Sequence, residues 1–256
     1  MLVTTTYEPT TDVVMRSKLL AERMQGHWVP RLKRSLSKLR ALYGEEAILV
    51  VSEKDLKYYH KGDTAAFFHP STAMVRIKRL LSGESDILVK VSNVEQGDAV
   101  LDCTAGLASD AIVFSHIVGR QGKVTALESE AAICLLLEEG LKAYPSDVPE
   151  LVEAMRQIEM IHSDHLSYLK QQSDSSYDTV YFDPMFRRPI KESSSLSPLR
   201  DIANHYPISA EAIIEARRVA RKTIVMKEHS DSSEFARLGF TKVFKSNTKI
   251  AYGVIE

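Results

Sequence analysis

Apolar and polar positions along this chain follow a repeating strand and helix pattern from about residue 98 onwards. Five apolar runs predict buried strands: DAVLDCT, KVTALES, IEMIHSD, DTVYFDP and KTIVMKE. Helix-type spacing between them predicts helices in SDAIVFSHIVG, AAICLLLEEGLKAY and SAEAIIEARRVA. Alternation of this kind predicts a doubly wound α/β fold, in which helices cover both faces of a mostly parallel sheet. The tail, FTKVFKSNTKIAYGVIE, predicts a closing antiparallel hairpin that turns near Ser246 and Asn247.

The first part of the chain predicts a smaller α/β unit. Strands are expected in LVTTTY, AILVV and LKYYH, and helices over residues 11–25 and 31–43. A further helix in HPSTAMVRIKRLLSG, capped by Ser71 or Thr72 and ended by Gly83, leads into the main domain. We therefore predict a small unit over residues 1–65 and a main domain over residues 66–256.

Composition narrows the class of protein. The 256 residues are 44% hydrophobic and 26% charged with a net charge of -1, which is ordinary for a globular protein and indicates no strong global field. The two cysteines lack CxxC spacing and the histidines form no metal-spaced cluster, so we expect neither a disulfide framework nor a metal. We expect no signal peptide, no membrane span and a cytoplasmic location.

The first predicted strand of the main domain ends in LDCTAGLASD. In a doubly wound sheet, ligands bind beyond the carboxyl ends of the strands, where the strand order reverses. Asp102 closes the strand, and Gly106 provides a bend at which backbone amides can approach a ligand. Ser109 and Asp110 open the following helix, where they can cap free amides or contact a ligand. A plain glycine turn before a capped helix explains this stretch equally well, since GxGxxG is absent.

Two further strand ends carry acids at suitable spacing. Glu128 follows the glycine turn by about twenty residues and is placed to accept the two hydroxyls of a ribose. Ser163 and Asp164 follow the third strand and could contact an adenine edge. Each acid alone is also a common start of a helix, but three successive strand ends with this chemistry are more specific than any one of them.

The fourth strand ends in the corner Asp183-Pro184-Met185-Phe186. Proline has no amide to donate and keeps the preceding residue out of the helical region. The corner therefore offers carbonyl and carboxylate acceptors, with Phe186 as a flat wall. Such a corner suits a planar group that bears an amine, such as a nucleobase. The alternative is an Asp-Pro turn with Phe186 buried in the core.

These motifs resemble those of a known family. DPMF resembles the Asp/Asn-Pro-Pro-aromatic motif of methyltransferases that act on exocyclic amines, with Met185 in place of the second proline. The segments VLDCTAGLASDA, ALES, IHSD, VYFDPMF and ARRVARKTIVMK resemble the RsmJ-type family, well over residues 98–230 and poorly over the first ninety. This resemblance implies a Rossmann-like class I methyltransferase that uses S-adenosylmethionine to modify the exocyclic amine of a guanosine in small-subunit ribosomal RNA.

The resemblance also implies which residues bind and act. Cofactor contacts carry over to four strand ends: Ser109-Asp110, Glu128-Ser129, Ser163-Asp164 and Asp183. The catalytic corner carries over to Asp183, Pro184 and Phe186. The chain departs from the family at Ser109 and Ser129, where arginines are usual, and at Ala108, where glycine is usual.

RNA requires a basic surface, and residues 16–40 hold eight Lys and Arg against one acid, Glu22. This basic segment, with His27 and Trp28 inside it, could contact RNA phosphates, or it could be a plain solvated helical face. Arg187 and Arg188 follow the corner and could hold a substrate phosphate. A methyltransferase acting on DNA, a protein side-chain amide or a small molecule stays open as the alternative, as does a binding module that kept only the fold.

Overall fold

A computed structural model of the chain describes residues 1–185, 204–246 and 248–256. These residues form two compact units. The first comprises Met1–His69 and Ala131–Tyr144, and the second comprises Pro70–Glu130, 145–185 and the described residues from Asn204 to Glu256. The division of the chain into two domains, with the boundary after residue 65, stays a prediction.

The first unit contains a four-stranded sheet in the order β2-β1-β3-β4. Its strands are β1 (Leu2–Thr5), β2 (His27–Trp28), β3 (Ile48–Val51) and β4 (Leu56–Tyr59). The first three are parallel, and β4 is antiparallel to β3. Its helices are α1 (Thr11–Arg23), α2 (Leu36–Tyr43) and α6 (Ala131–Ala143). Gly140 of α6 lies directly against the Phe68 ring, and a side chain larger than hydrogen would clash there.

The second unit contains a seven-stranded sheet in the order β10-β11-β9-β8-β5-β6-β7. Its strands are β5 (Ala99–Asp102), β6 (Lys123–Glu128), β7 (Ile158–His162), β8 (Tyr177–Phe182), β9 (Ala220–His229), β10 (Lys242–Lys245) and β11 (Ile250–Ile255). The strands from β9 to β7 in this order are parallel, whereas β11 and β10 pair antiparallel. The doubly wound sheet with a C-terminal hairpin is thus confirmed.

Helices connect these strands. They are α3 (Ser71–Leu81), α4 (Ile87–Ser92), α5 (Ser109–Val118), α7 (Pro149–Gln157), α8 (His165–Gln171), α9 (Ala210–Val219) and α10 (Glu234–Arg237), with a 3₁₀ turn over Gly119–Gln121. Strand β8 is buried along its length, and β5 is buried from Val100 to Asp102, because both lie in the middle of the sheet between neighbouring strands. Among the described residues, no helix has the length and apolar character to cross a bilayer.

Strand order positions the site. The chain passes from β5 to β6 and β7 on one side, and returns to β8 and β9 on the other. The order therefore reverses between β5 and β8, and their carboxyl ends open a crevice where ligands bind in this class of sheet. Asp102 ends β5, and Asp183 directly follows β8.

The structure differs from the sequence-based expectation at several helix ends. Helix α2 begins at Leu36 rather than near residue 31, because Leu32 and Lys33 adopt left-handed backbone angles (φ 42° and 57°) that cannot continue a helix. Neither Ser71 nor Thr72 caps α3, whose N-cap is Pro70 without a side-chain hydrogen bond. The short helices α4 and α7 were not predicted. Ser246 lies at the hairpin turn, and Asn247 lies outside the described residues.

Candidate active site

The turn between β5 and α5 brings backbone close to the crevice. Asp102 accepts a hydrogen bond from the Thr104 amide at 3.0 Å, and burial raises the pKa of Asp102 well above its usual range. Gly106 has a left-handed backbone (φ 55°). A Cβ added at Gly106 would have one heavy atom of the described residues within 4 Å, the Thr104 carbonyl oxygen at 3.8 Å, apart from its own chain neighbours, so there is room beside this turn.

Ala108 is the N-cap of α5 and also has a left-handed backbone, φ 58°, which favours glycine. We expect Ala108→Gly to leave the free energy of unfolding unchanged or to raise it by up to about 1 kcal/mol, because relief of strain offsets the lost methyl group. Ala111→Gly, in the right-handed interior of the same helix, should lower it by about 1 kcal/mol or more. Urea denaturation of both variants tests this, and equal destabilisation would contradict it.

Glu128 lies almost fully buried at the end of β6. Its Oε1 accepts a hydrogen bond from the Glu130 amide at 2.9 Å, and burial raises the pKa of Glu128 although nearby amides lower it. The neighbouring strand end is tied to it by backbone, since the Ser163 amide donates to the Glu128 carbonyl at 3.0 Å. His162 Nε2 donates to the Ser129 carbonyl at 3.0 Å.

Asp164 is the N-cap of α8, where its Oδ1 accepts from the Ser167 amide at 3.0 Å. Asp164 thus caps a helix, as one of the two interpretations of Ser163 and Asp164 predicted. Half of the Asp164 side chain (49%) is exposed, so the carboxylate retains acceptor capacity for a ligand. Ser163 donates its hydroxyl proton to the Asp164 carbonyl at 3.1 Å.

The corner after β8 presents acceptors. The Asp183 amide donates to Thr104 Oγ1 at 2.5 Å, which occupies the last backbone donor before Pro184. Pro184 has no N–H, so the carboxylate and carbonyl oxygens are the polar groups left at this point. Such a corner can accept hydrogen bonds from an amine. Phe186, predicted as its flat wall, lies outside the described residues, as do Arg187 and Arg188.

A buried lysine binds the acids of the corner together. Lys227 Nζ lies 2.7 Å from Asp183 Oδ2 and 3.0 Å from Asp110 Oδ2. The Tyr181 hydroxyl donates to the same Asp110 oxygen at 2.7 Å. Arg76 of α3 forms an ion pair with the other oxygen of Asp110. Asp110 therefore has both oxygens on protein donors, whereas Asp183 has one oxygen held and 26% of its side chain exposed.

These charged groups shift the pKa values of one another. Burial, together with the charge of Asp110, raises the pKa of Asp183 to about 6, although Lys227 acts to lower it. Burial alone would raise the pKa of Asp110, but Lys227 and Arg76 hold it below its usual range. Burial alone would lower the pKa of Lys227, but the two carboxylates raise it above its ordinary value. Lys227 is therefore charged at neutral pH, and the pKa of Asp183 lies closer to neutral pH than that of an ordinary carboxyl.

The structure brings Asp102, Asp110 and Asp183 close enough that their charges affect one another. Glu128 and Ser163 lie together at the next strand ends. Ser109 begins α5 but does not cap it. Sequence reasoning missed Lys227 and Arg76.

A signal for Lys227 exists in the strand register. Met226 of β9 pairs with Phe182 of the parallel strand β8, so the residues that follow them, Lys227 and Asp183, are neighbours. Each of the two directly follows an apolar run in the sequence. Arg76 gives no such signal, because it comes from a helix far earlier in the chain.

The residues at the strand ends fit a nucleoside cofactor. Buried Glu128 offers a carboxylate for ribose hydroxyls, Asp164 offers one for an amine, and the Gly106 turn leaves open space beside it. In the part of the chain that the structure describes, no group of three or more His, Cys, Asp and Glu side chains could hold a metal ion.

Comparisons with known proteins identify the family of this chain. The family model described as "Putative SAM-dependent methyltransferase" matches residues 33–240. A Bacillus subtilis protein, "Uncharacterized protein YpiP", is 37% identical over 255 residues, which cover 100% of this chain and 99% of that protein. "Ribosomal RNA small subunit methyltransferase J" of Actinobacillus succinogenes is 32% identical over 163 residues, 60% of each chain. The match thus spans less than two thirds of that ribosomal RNA methyltransferase.

A solved structure shares the fold. The SAM-dependent methyltransferase NGO1261 from Neisseria gonorrhoeae superimposes with a TM-score of 0.65, covering 99% of this chain and 95% of that one. Sequence identity is 16%, so this likeness concerns the fold alone. It confirms the predicted class I, Rossmann-like arrangement.

Proposed function

This chain belongs to the S-adenosylmethionine-dependent methyltransferase family, and we propose that it methylates the exocyclic amine of a guanosine in small-subunit ribosomal RNA. S-adenosylmethionine is the cofactor of this family. The ribosomal substrate is supported by the relatives named for that activity. The Actinobacillus protein is one of them, and its match covers 60% of this chain. A ribosomal substrate also implies a cytoplasmic location.

One observation carries the choice of an amine. Thr104 occupies the Asp183 amide, and Pro184 has none, so the corner beside the crevice offers acceptors. An amine donates two hydrogens and fits this corner, whereas a carbonyl or a phosphate would place its oxygens against the carboxylate and carbonyl oxygens of Asp183 and Pro184. A guanine can reach such a corner only when it is unpaired or flipped out of its helix.

The cofactor residues have distinct roles in this proposal. Glu128 accepts the ribose hydroxyls. The backbone amides of Glu130, Gly106 and Ser129 already act on its carboxylate and hold it in place, and a carboxylate has about four acceptor positions. Asp164, with Ser163, accepts the adenine amine. The backbone at Gly106, beside Ser109, lines the approach to the crevice. Ser129 contributes backbone next to Glu128, and Asp102 and Asp110 support the turn and the lysine.

S-adenosylmethionine supplies an electrophilic methyl carbon on a sulfonium, so the protein has to position and activate the acceptor nitrogen. Hydrogen bonds from the amine to Asp183 and to the Pro184 carbonyl orient its lone pair and stabilise the positive charge that develops on it. Lys227 fixes one Asp183 oxygen at 2.7 Å, which leaves the other for the amine. With a pKa of about 6, Asp183 is ionised at pH 8 and can accept the departing amine proton.

The pH profile tests the charge of Asp183. We expect activity to fall as the pH drops through about 6, because protonated Asp183 loses its acceptor charge. In Lys227→Gln the acidic limb should move to higher pH, since removing a neighbouring cation raises the pKa of a carboxyl. Initial rates between about pH 5 and 9, at saturating cofactor, measure both limbs.

Lys222→Gln is the matched control for that profile. Lys222 lies on the same strand, β9, but pairs with Asp98 at 2.7 Å, away from the corner. Its substitution should leave the acidic limb in place. An unmoved limb in Lys227→Gln, or an equal shift in both variants, would contradict the assigned role of Lys227.

The basic segment supports RNA binding only in part. Arg16 and Arg23 form ion pairs with Glu139 and Glu138, both on α6. Arg40 pairs with Asp63 at 3.2 Å. Three of the eight cations of this segment are therefore paired with acids within the first unit. The other five are Lys18, which lies on α1 before β2, and Arg31, Lys33, Arg34 and Lys38, which follow β2.

Class of substrate is tested by methyl transfer to mixed targets. Extract from cells lacking this protein is incubated with the protein and S-adenosylmethionine labelled on its methyl group. We expect label that ribonuclease removes and that co-migrates with small-subunit ribosomal RNA. Label that survives ribonuclease and is removed by deoxyribonuclease or protease would replace this proposal with the alternative substrate of the same fold.

A further inference from the structure

The first unit contains a cavity of about 450 Å³ of its own. It lies at the carboxyl ends of the parallel strands β1 and β2, and both following loops line it. Crevices beyond such strand ends are where open α/β sheets bind ligands, and the volume falls within the range of about 300–1,000 Å³ typical of small-molecule sites. The lining residues that matter here are Thr5, Tyr7, Trp28, Arg31 and Lys33.

Arg31 is the unusual member of this lining. Its Nε and Nη1 atoms are shielded from solvent and have no hydrogen-bond partner within the described part of the chain. Buried donors without partners each cost about 1–3 kcal/mol, and native proteins rarely keep them. An anion in the cavity would provide the partner through a rotation of the side chain, and the guanidinium fork matches a phosphate.

The other walls of the cavity are aromatic and basic. Tyr7 is 53% exposed, and its ring lies 4.9 Å from the Arg31 guanidinium carbon. Trp28 forms a second wall, with Lys18 Nζ 4.9 Å from its ring centroid. The lining includes two cations, Arg31 and Lys33, and the described lining residues include no acid. Aromatic faces beside cations are the combination that binds nucleotides through base stacking and phosphate contact.

Backbone strain concentrates in the same loop. Leu32 and Lys33 are consecutive non-glycine residues with left-handed backbone angles. Each such residue costs about 1–2 kcal/mol, so the rest of the unit must hold the loop in place. Leu32 is also 63% exposed, which indicates that core packing does not explain the conformation. Strain of this kind is common where a loop holds a ligand.

We propose that this cavity binds a nucleotide, with its phosphate on Arg31 and Lys33 and its base against Trp28 and Tyr7. The nucleotide can come from a single-stranded stretch of RNA or from a free nucleoside monophosphate. As a second RNA contact the cavity rests on the proposed function, whereas nucleotide binding itself does not.

Trp28 reports on the cavity directly, because it is the only tryptophan in the chain. The full-length protein, without S-adenosylmethionine, is titrated with guanosine monophosphate, with guanosine and with a short single-stranded RNA, and Trp28 fluorescence is recorded. We expect the phosphorylated ligands to quench it, with guanosine at least about tenfold weaker because it lacks the charge-assisted contacts. Tighter binding of the RNA identifies RNA as the source, and tighter binding of the monophosphate identifies the free nucleotide.

Matched arginine variants distinguish binding in the cavity from general attraction of a phosphate to a basic loop. Arg31→Gln should weaken binding by about tenfold or more, and Arg34→Gln, in the same loop but outside the cavity lining, should not. Arg31→Gln should not lower the thermal unfolding midpoint, since the buried donors that it removes lack partners. Lys33→Gln is a second test, because Lys33 is exposed, and we expect it to weaken nucleotide binding severalfold. No quenching by either phosphorylated ligand, or equal losses in Arg31→Gln and Arg34→Gln, would overturn the proposal.

These binding results do not depend on methyl transfer. Nucleotide binding that depends on Arg31, in a protein that labels no RNA, would leave the cavity site standing and refute the proposed function. RNA methylation with unchanged Trp28 fluorescence would support the proposed function and refute the cavity site.

Discussion

Replacing Asp183 with asparagine is expected to lower kcat for methyl transfer by about 10²- to 10³-fold. Asparagine keeps the size of the side chain and one acceptor oxygen, but it loses the negative charge and the capacity to take a proton. Its amide nitrogen would face either Lys227 Nζ, now 2.7 Å from Asp183 Oδ2, or the substrate amine. Either contact sets a donor against a donor.

The measurement separates chemistry from folding. Lys227 retains Asp110 at 3.0 Å in the variant, so the corner should stay folded, which thermal unfolding checks. We expect S-adenosylmethionine affinity, measured by calorimetry, to change by no more than about tenfold while kcat falls. Asp174→Asn, an exposed acid that pairs with Arg218, is the control and should retain full activity. A rate for Asp183→Asn within tenfold of the unmodified protein would refute the role of Asp183.

The second large effect is expected on cofactor binding. Glu128→Gln should weaken S-adenosylmethionine by about a hundredfold, because two hydrogen bonds to a charged acceptor are replaced by weaker neutral contacts. Glutamine fills nearly the same volume, so the almost fully buried position at the end of β6 should be preserved. Calorimetric titration with S-adenosylmethionine gives the two dissociation constants.

Glu130→Gln is the matched control for Glu128. It removes the same charge two residues further along, where the backbone amide rather than the side chain contacts Glu128. We expect its affinity to remain within about threefold of the unmodified protein. Equal losses in both variants would mean that general negative charge, and not a ribose contact at Glu128, governs binding.

Local patterns predicted the fold and the strand ends. The strands in DAVLDCT and DTVYFDP are continuous apolar runs because they are buried in the middle of the sheet, and that pattern survives in the sequence. Acids directly after such runs then fall at the carboxyl edge, where Asp183 and Glu128 are found. Their roles towards cofactor and substrate stay predictions.

Long-range pairing could not be predicted from these patterns. Lys227 and Asp110 are 117 residues apart in sequence, and Arg76 reaches the same carboxylate from a helix outside the repeating strand and helix pattern. Only the sheet register and the packing of α3 bring them together. The apolar spacing predicted helix α6 correctly, but not its grouping with the first unit, where Gly140 packs against Phe68 and Glu138 and Glu139 pair with arginines of α1. A single glycine in a helix gave no indication of that partner.

The central claim is that the Asp183 corner directs methyl transfer to the exocyclic amine of guanosine. The most direct test is mass-spectrometric nucleoside analysis of small-subunit ribosomal RNA treated with S-adenosylmethionine and either the unmodified protein or Asp183→Asn. The account predicts N2-methylguanosine with the unmodified protein and at most traces of it with Asp183→Asn. A methyl group on a ribose oxygen, a ring nitrogen or another base, formed equally by both proteins, would contradict it.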